Sequence, residues 1–184
     1  MQDLLKDVES KMTAAIDSLT RELSSVRTGR ASAALLDTVR VDYYGTPTPV
    51  NQMASVSVPD ARTLLIQPWE ATQLQATEKA IIKSDLGLNP ANYGKLIRLT
   101  MPTPTEERRK QLARTVHKIA EEGRVAIRNV RREANDRLKA MAKDKNVSED
   151  EERRGHDQIQ KTTDKFIAKV DEVLKKKEQE ILTF

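Results

Sequence analysis

The chain has no cysteine, which excludes disulfides and thiolate metal sites. A reducing cytosol is compatible with that absence but not required by it. Ring side chains are few: Tyr43, Tyr44, Trp69, Tyr93, Phe166 and Phe184, with none between 94 and 165. Histidine is limited to His117 and His156, on separate predicted helices and with no nucleophile motif beside either. Catalysis therefore finds little support, and the expectation is a protein that is not an enzyme. Proline is missing from both ends of the chain, all seven lying between 47 and 104. No apolar run approaches the roughly 18 residues that span a bilayer. The opening MQDLLKDVESK becomes charged too early for a secretory signal. A cytoplasmic protein with no membrane partner is expected, so the sequon at Asn146-Val147-Ser148 carries no weight.

What the chain does have is charge, and its distribution is uneven. Charged residues make up 33% against 38% apolar, which fits helical bundles with narrow apolar seams. Residues 1–30 balance at five positive and five negative charges, and residues 31–104 at six and six. Residues 105–145 hold thirteen Lys and Arg against seven Asp and Glu, a larger surplus than the +4 of the whole chain. The excess is thus concentrated on one predicted helix, and a rod with a cationic flank suits phosphates.

Residues 3–27 show helical periodicity, with Leu5, Val8, Met12, Ala15, Leu19, Leu23 and Val26 at steps of three and four. Gly29 offers a stop near the end of that run. The texture then changes. Val39, Val41 and Tyr43 alternate with Arg40 and Asp42 as in a half-buried strand, and Gly45 to Pro49 reads as a turn or loop. Val56 and Val58 predict a second strand, Thr63 to Ile66 a third ended by Pro68, and Leu96 to Leu99 a closing one. Glu70 to Leu86 predicts a short helix with Leu74, Ala80, Ile81 and Ile82 as core positions.

Helix resumes after Pro102 and Pro104, with Thr105 as a candidate N-cap. Val116, Ile119, Ala120, Gly123, Ile127, Val130, Ala134, Leu138 and Met141 form one stripe. Gly123 costs about 1 kcal/mol against alanine there, which close approach of another helix would explain. Asn146 and Val147 break the run, and Ser148 to Glu151 has capping-box spacing. The last helix offers Ile159, Thr163, Phe166, Val170, Val173 and Ile181 as its seam. No single helix can bury its stripe alone, so the three are expected to pack together. The fold class is therefore α+β: an elongated three-helix bundle of residues 1–30 and 105–184, with a small β/α/β domain of residues 31–104 inserted. Two side-by-side connections of this kind can act as a hinge.

At about 100° per residue, Arg131, Arg124, Arg128, Lys139 and Arg132 fall on one flank of the stripe, with Glu121 the main acid among them. Glu122, Glu133 and Asp136 fall on the other. Charged helix faces are commonly only solvated, but interleaved opposite signs would cancel, and here the signs are sorted. Arginine's planar fork also grips phosphate in two bonds. With no rings beside these cations, a structured RNA held by backbone and shape fits better than a single strand.

Other motifs carry less. Gly87 to Lys95 superficially suggests a phosphate loop, but six residues separate Gly87 from Gly94 where four are required. It reads as a loop between helix and strand. Tyr43, Tyr44 and Trp69 read as packing or domain-surface groups, with a partner contact through Trp69 as the lesser reading. Two other classes stay open from the residues alone. A helical adaptor would bind another protein's helix without salt sensitivity, and an enzyme would need a convergent polar pocket in residues 31–104.

Several strings together resemble the bacterial ribosome recycling factors. They are Val26-Arg27-Thr28-Gly29-Arg30-Ala31, Asp42-Tyr43-Tyr44-Gly45-Thr46-Pro47, Ser84-Asp85-Leu86-Gly87-Leu88-Asn89-Pro90, Thr105-Glu106-Glu107-Arg108-Arg109 and Arg128-Asn129-Val130-Arg131-Arg132. The resemblance runs from end to end. It implies an L-shaped monomer with a tRNA-like outline, which binds the 70S ribosome through large-subunit rRNA after termination. With elongation factor G it splits the subunits; the GTP is used by that partner, and the factor itself carries no cofactor or metal. The family's RNA-contacting arginines fall on Arg109, Arg128 and Arg131, with Arg27 a further candidate. Arg132 and Arg124 are added by the charge sorting. The family's hinge falls on Gly29, Arg30 and Ala31 and on Met101, Pro102, Thr103, Pro104 and Thr105.

Overall fold

The structure is a computed structural model and describes residues 1–183. The chain forms two compact units, one of residues 1–27 and 106–182, the other of residues 28–105 with 183.

The first unit is three helices: α1 (Gln2–Ser25), α3 (Glu106–Lys143) and α4 (Glu149–Leu182). Their stripes pack on one another as the three-and-four spacing requires. Met12, Leu19, Val116, Ile127, Leu138, Ile159, Phe166 and Val170 are all buried in one cluster. Each such side chain contributes about 1.5–3 kcal/mol relative to exposure. Pairs such as Lys11 with Glu133 and Arg137 with Asp7 run α1 antiparallel to α3. Thr163 is the buried polar residue of α4's seam, and its hydroxyl donates to the Ile159 carbonyl at 2.7 Å, so that hydroxyl is not left bare.

The turn between α3 and α4 follows local rules. Asn146 N–H donates to Met141 C=O and Lys145 N–H to Ala142 C=O, a Schellman closure with Lys145 at φ 56. The left-handed residue is thus Lys145. The capping box then forms: Ser148 N–H donates to Glu151 at 2.9 Å, and Glu151 N–H to Ser148 Oγ at 3.3 Å. α1 ends at Ser25, earlier than Gly29 suggested, with Val26 already extended.

The second unit holds β1 (Arg40–Tyr43), β2 (Thr46–Pro49), β3 (Ala54–Asp60), β4 (Thr63–Pro68), α2 (Leu74–Lys83), β5 (Pro90–Asn92) and β6 (Ile97–Thr100). β1 and β2 form one antiparallel pair, and the rest form an antiparallel sheet in the order β3-β4-β6-β5. Leu64, Ile66, Ile97 and Leu99 point into a core shared with Leu36, Val41, Val50 and Ile81. The opposite face runs Ser57, Leu65, Arg98 and Ala91 across the four strands and carries no ring.

Three expectations are corrected here. Thr46–Pro49 is a strand, not a loop. Tyr44 at φ 50 and Gly45 at φ 82 make a two-residue hairpin turn, which sets Pro47 opposite Asp42 and Pro49 opposite Arg40. Counting from the bonded closing pair Tyr43 and Thr46, both prolines fall at positions whose N–H would point away from β1. Pro90–Asn92, within the expected 87–95 loop, is a short edge strand on β6. Ile82 is 59% exposed, because Leu74, Thr77 and Ile81 make the buried line of α2 and Ile82 lies one step round the helix.

Candidate nucleic-acid interface

The middle of α3 carries the sorted arginines, and α4 supplies most of what they touch. Arg124 is enclosed. Its Nε and Nη2 donate to Asp171 Oδ1 at 3.1 and 2.6 Å, and its Nη1 to Glu121 at 3.1 Å. Only 20% of its side chain is exposed. Asp171 above all holds the guanidinium's pKa up. Arg128 donates to the other Glu121 oxygen at 2.9 Å, and it is more open. These two arginines, Arg128 first, hold the Glu121 carboxyl below its usual range. Arg131 is half-buried and reaches Gln160 of α4 at 3.4 Å. Arg132 and Lys139 are exposed, with no hydrogen bond or ion pair among the described residues. Five cations stand against Glu121, Asp171 and Asp164, the last holding Gln160 beside Arg131, so this flank is positive.

The side chains differ in what they offer a ligand. Arg132 can meet a phosphate at no structural cost. Arg128 would exchange an exposed carboxylate for a phosphate, and exposed pairs of this kind are weak. Arg124 would have to leave two carboxylates, so its geometry fits tethering α3 to α4. Asp171 and Gln160 were not legible as partners, because helix-to-helix register is not written in one helix's periodicity.

Arg109 and Arg27 are not part of this cluster. Arg109 is half-buried in the first turns of α3, about 28 Å along the helix from Arg128. Arg27 follows α1 and is exposed, without an ion pair among the described residues. Since α1 runs antiparallel to α3, Arg27 lies toward Arg109's end of the bundle.

The expected hinge residues divide into two kinds. Ala31 and Met101 are 6% and 3% exposed and belong to the core of the second unit. Ala31 N–H donates to Ala61 C=O at 2.8 Å, and Met101 N–H to Arg62 C=O at 2.7 Å. Both chain segments are therefore pinned to the single turn between β3 and β4. Gly29, at φ 84, and Arg30 are exposed, as are Pro102, Thr103 and Thr105, with Pro104 half-buried.

His117 pairs with Glu178 at 2.5 Å and His156 with Asn135 at 2.8 Å, each linking α3 to α4. Among the described residues no cluster of His, Asp and Glu is arranged to hold a metal, and no helix is long and apolar enough to cross a membrane.

A profile of the ribosome recycling factor family matches residues 19–182. The chain belongs to that family. It is 53% identical over 182 residues to the ribosome-recycling factor of Oleidesulfovibrio alaskensis, covering 99% of each chain. It is 56% identical over 183 residues to that of Carboxydothermus hydrogenoformans, covering 100% of this chain and 99% of the relative. Among solved structures, a solution structure of the ribosome recycling factor superposes with a TM-score of 0.67 at 41% identity, covering 100% of this chain and 97% of that one. A Thermus thermophilus recycling factor, described together with Escherichia coli elongation factor G on the post-termination complex, gives 0.62 at 52% identity over 98% of each chain. The recycling-factor strings that span the arginine cluster and the chain segments near 28–31 and 102–105 lie within these matches.

Proposed function

We propose that the bundle anchors this recycling factor on large-subunit rRNA of the post-termination ribosome. Elongation factor G, hydrolysing GTP, then drives subunit splitting. The observation that carries the reading is the open positive flank at Arg128, Arg131 and Arg132, on a helix with no ring beside it. Cations without stacking platforms suit a folded RNA recognised through its backbone. Arg109 and Arg27 supply a second contact toward the other end of the bundle, and Arg124 holds the flank in register with α4. The factor performs no chemistry of its own and works in the cytoplasm.

The anchoring of Ala31 and Met101 narrows the proposed pivot. Both are held by the β3–β4 turn, so rotation falls to residues 28–30 and 102–105. Residues 31–104, with six positive and six negative charges, carry no surplus to bind phosphate and are suited to being moved.

Sedimentation of 70S ribosomes with this protein, with and without elongation factor G and GTP, tests the reading. Free subunits are expected only in the complete mixture, and binding to 70S should weaken steeply with salt. Salt-insensitive binding, or no subunits in the complete mixture, would overturn it.

A further inference from the structure

Arg124 and Arg131 share one flank of α3, yet α4 holds them in opposite ways. Arg124 meets two carboxylates, Glu121 and Asp171, so its charge is largely offset. Arg131 meets a neutral amide: its Nη1 donates to Gln160 Oε1 at 3.4 Å. Among the described residues that is its only hydrogen bond or ion pair. At that length the contact steers the guanidinium more than it binds it. Gln160 Nε2 in turn donates to Asp164 Oδ1 at 2.8 Å, about one turn further along α4. The three side chains form a line from α4 to α3: Asp164, Gln160, Arg131.

The two ends of the line dictate how the amide between them lies. An ionised carboxylate only accepts, so Asp164 draws the Gln160 NH2 group. A guanidinium only donates, so the Gln160 oxygen is left to face Arg131. Glutamine serves both ends at once. A glutamate at 160 would repel Asp164 and neutralise Arg131, and a lysine would repel Arg131. The line therefore orients Arg131 with no counter-charge in contact with it. Its Nη2 and Nε stay open to an anion. That edge of the fork can take a phosphate in two bonds, and a side chain already held in one pose loses less freedom in doing so. We propose that Gln160, itself turned by Asp164, is a positioning residue that aims the fully charged Arg131 at an rRNA phosphate. The inference rests on the proposed rRNA anchoring and adds two α4 side chains to the α3 flank.

The test measures affinity of the full chain for purified 70S ribosomes across a salt series, without elongation factor G. Gln160→Met keeps the length and helix propensity of the side chain but has no amide. Affinity should fall about threefold, the size of one modest hydrogen bond. The salt slope should not change, because no charge is lost. That loss should vanish in an Arg131→Ala background, since positioning acts only through the guanidinium. Asp164→Asn and Asp164→Leu remove the same charge, but only Asn keeps an oxygen that can hold the amide. The Asn variant should therefore bind about threefold more tightly than the Leu variant. Gln160 and Asp164 are both exposed, so unfolding midpoints should stay at the wild-type value. Wild-type affinity in Gln160→Met, an equal loss when Arg131 is absent, or equal affinities of the two Asp164 variants would overturn the proposal. Wild-type binding and its salt dependence read the rRNA anchoring, and the paired variants read the positioning, so the two can fail separately.

Discussion

Gly123 of α3 lies directly against Leu19 of α1: a methyl group on Gly123 would stand 3.3 Å from both Leu19 δ-carbons. Gly155 of α4 is tighter still, since a methyl there would meet Leu138 Cδ2 at 2.8 Å and Met1 Cε at 2.9 Å. Both contacts involve side-chain tips, so the outcome depends on how far each can yield. Gly→Ala in a helix gains about 1 kcal/mol of propensity. At 3.3 Å Leu19 can give by a few tenths of an ångström, so Gly123→Ala should be neutral or up to about 1 kcal/mol stabilising. At 2.8 Å Leu138, itself fully buried, must shift, and overpacking costs about 1–3 kcal/mol. Gly155→Ala should therefore be the less stable variant by about 1–3 kcal/mol in urea unfolding. The reverse order would show that the packing at Gly155 is looser than described.

Those two glycines mark what a single chain reveals and what it does not. The stripe through Gly123 was legible because apolar residues recur every three and four positions, and a glycine on such a line asks for a close neighbour. Gly155 gave no such signal, because Arg153, Arg154 and His156 around it read as surface. The strands with alternating Val and Leu were legible, whereas β2 was hidden by two prolines that normally end a strand. Only the register imposed by the Tyr44-Gly45 turn makes them harmless. The arginine flank was visible on a helical wheel, but the capture of Arg124 by Asp171 depends on how α3 and α4 slide past each other, which neither helix's own pattern states.

The next prediction concerns acid. The Glu151 carboxyl is held below its ordinary 4.5 by the Ser148 N–H and then the Ser148 hydroxyl. Asp7 lies below 3.8, chiefly through Arg137, and Glu121 below 4.5 through Arg128. A carboxylate with a lowered folded-state pKa contributes stability that is complete above its unfolded value and is lost as pH falls through the folded one. Bundle stability should thus be level from neutrality to about pH 5 and decline below it. Ser148→Ala removes the cap hydroxyl and should cost about 1 kcal/mol at neutral pH. Because it also releases part of the hold on Glu151, the acid-side decline should be shallower than in the wild type. Urea midpoints at several pH values check both, and a steeper decline in Ser148→Ala would contradict the assignment.

Arg124 and Arg132 should separate tethering from binding. Arg132 has no ion pair among the described residues, whereas Arg124 bridges Glu121 and Asp171. Arg132→Ala is expected to leave thermal stability unchanged, to weaken 70S binding, and to reduce the dependence of log affinity on log salt by about one. Arg124→Ala is expected to lower the unfolding midpoint while changing that slope less. If Arg124→Ala removed a full unit of slope with stability intact, its guanidinium would be a phosphate ligand and not a tether.

The pivot can be tested because the chain has no cysteine of its own. Ala31 and Met101 are hydrogen-bonded to adjacent carbonyls of one turn, at Ala61 and Arg62, so a link between them joins parts that already move together. Bridging Ala31→Cys with Met101→Cys by a flexible bismaleimide should leave splitting within about twofold, provided the fold tolerates two buried thiols, which the uncross-linked pair controls for. Bridging Arg30→Cys with Pro104→Cys joins the two segments proposed to rotate. That form should still bind 70S ribosomes, because the α3 flank is untouched, yet lose most splitting activity, and cleaving a reducible version of the linker should restore it. Retained splitting in the bridged Arg30–Pro104 form would remove the pivot from residues 28–30 and 102–105. Loss of splitting in the bridged Ala31–Met101 form alone would move it inward, onto the pair that the β3–β4 turn holds.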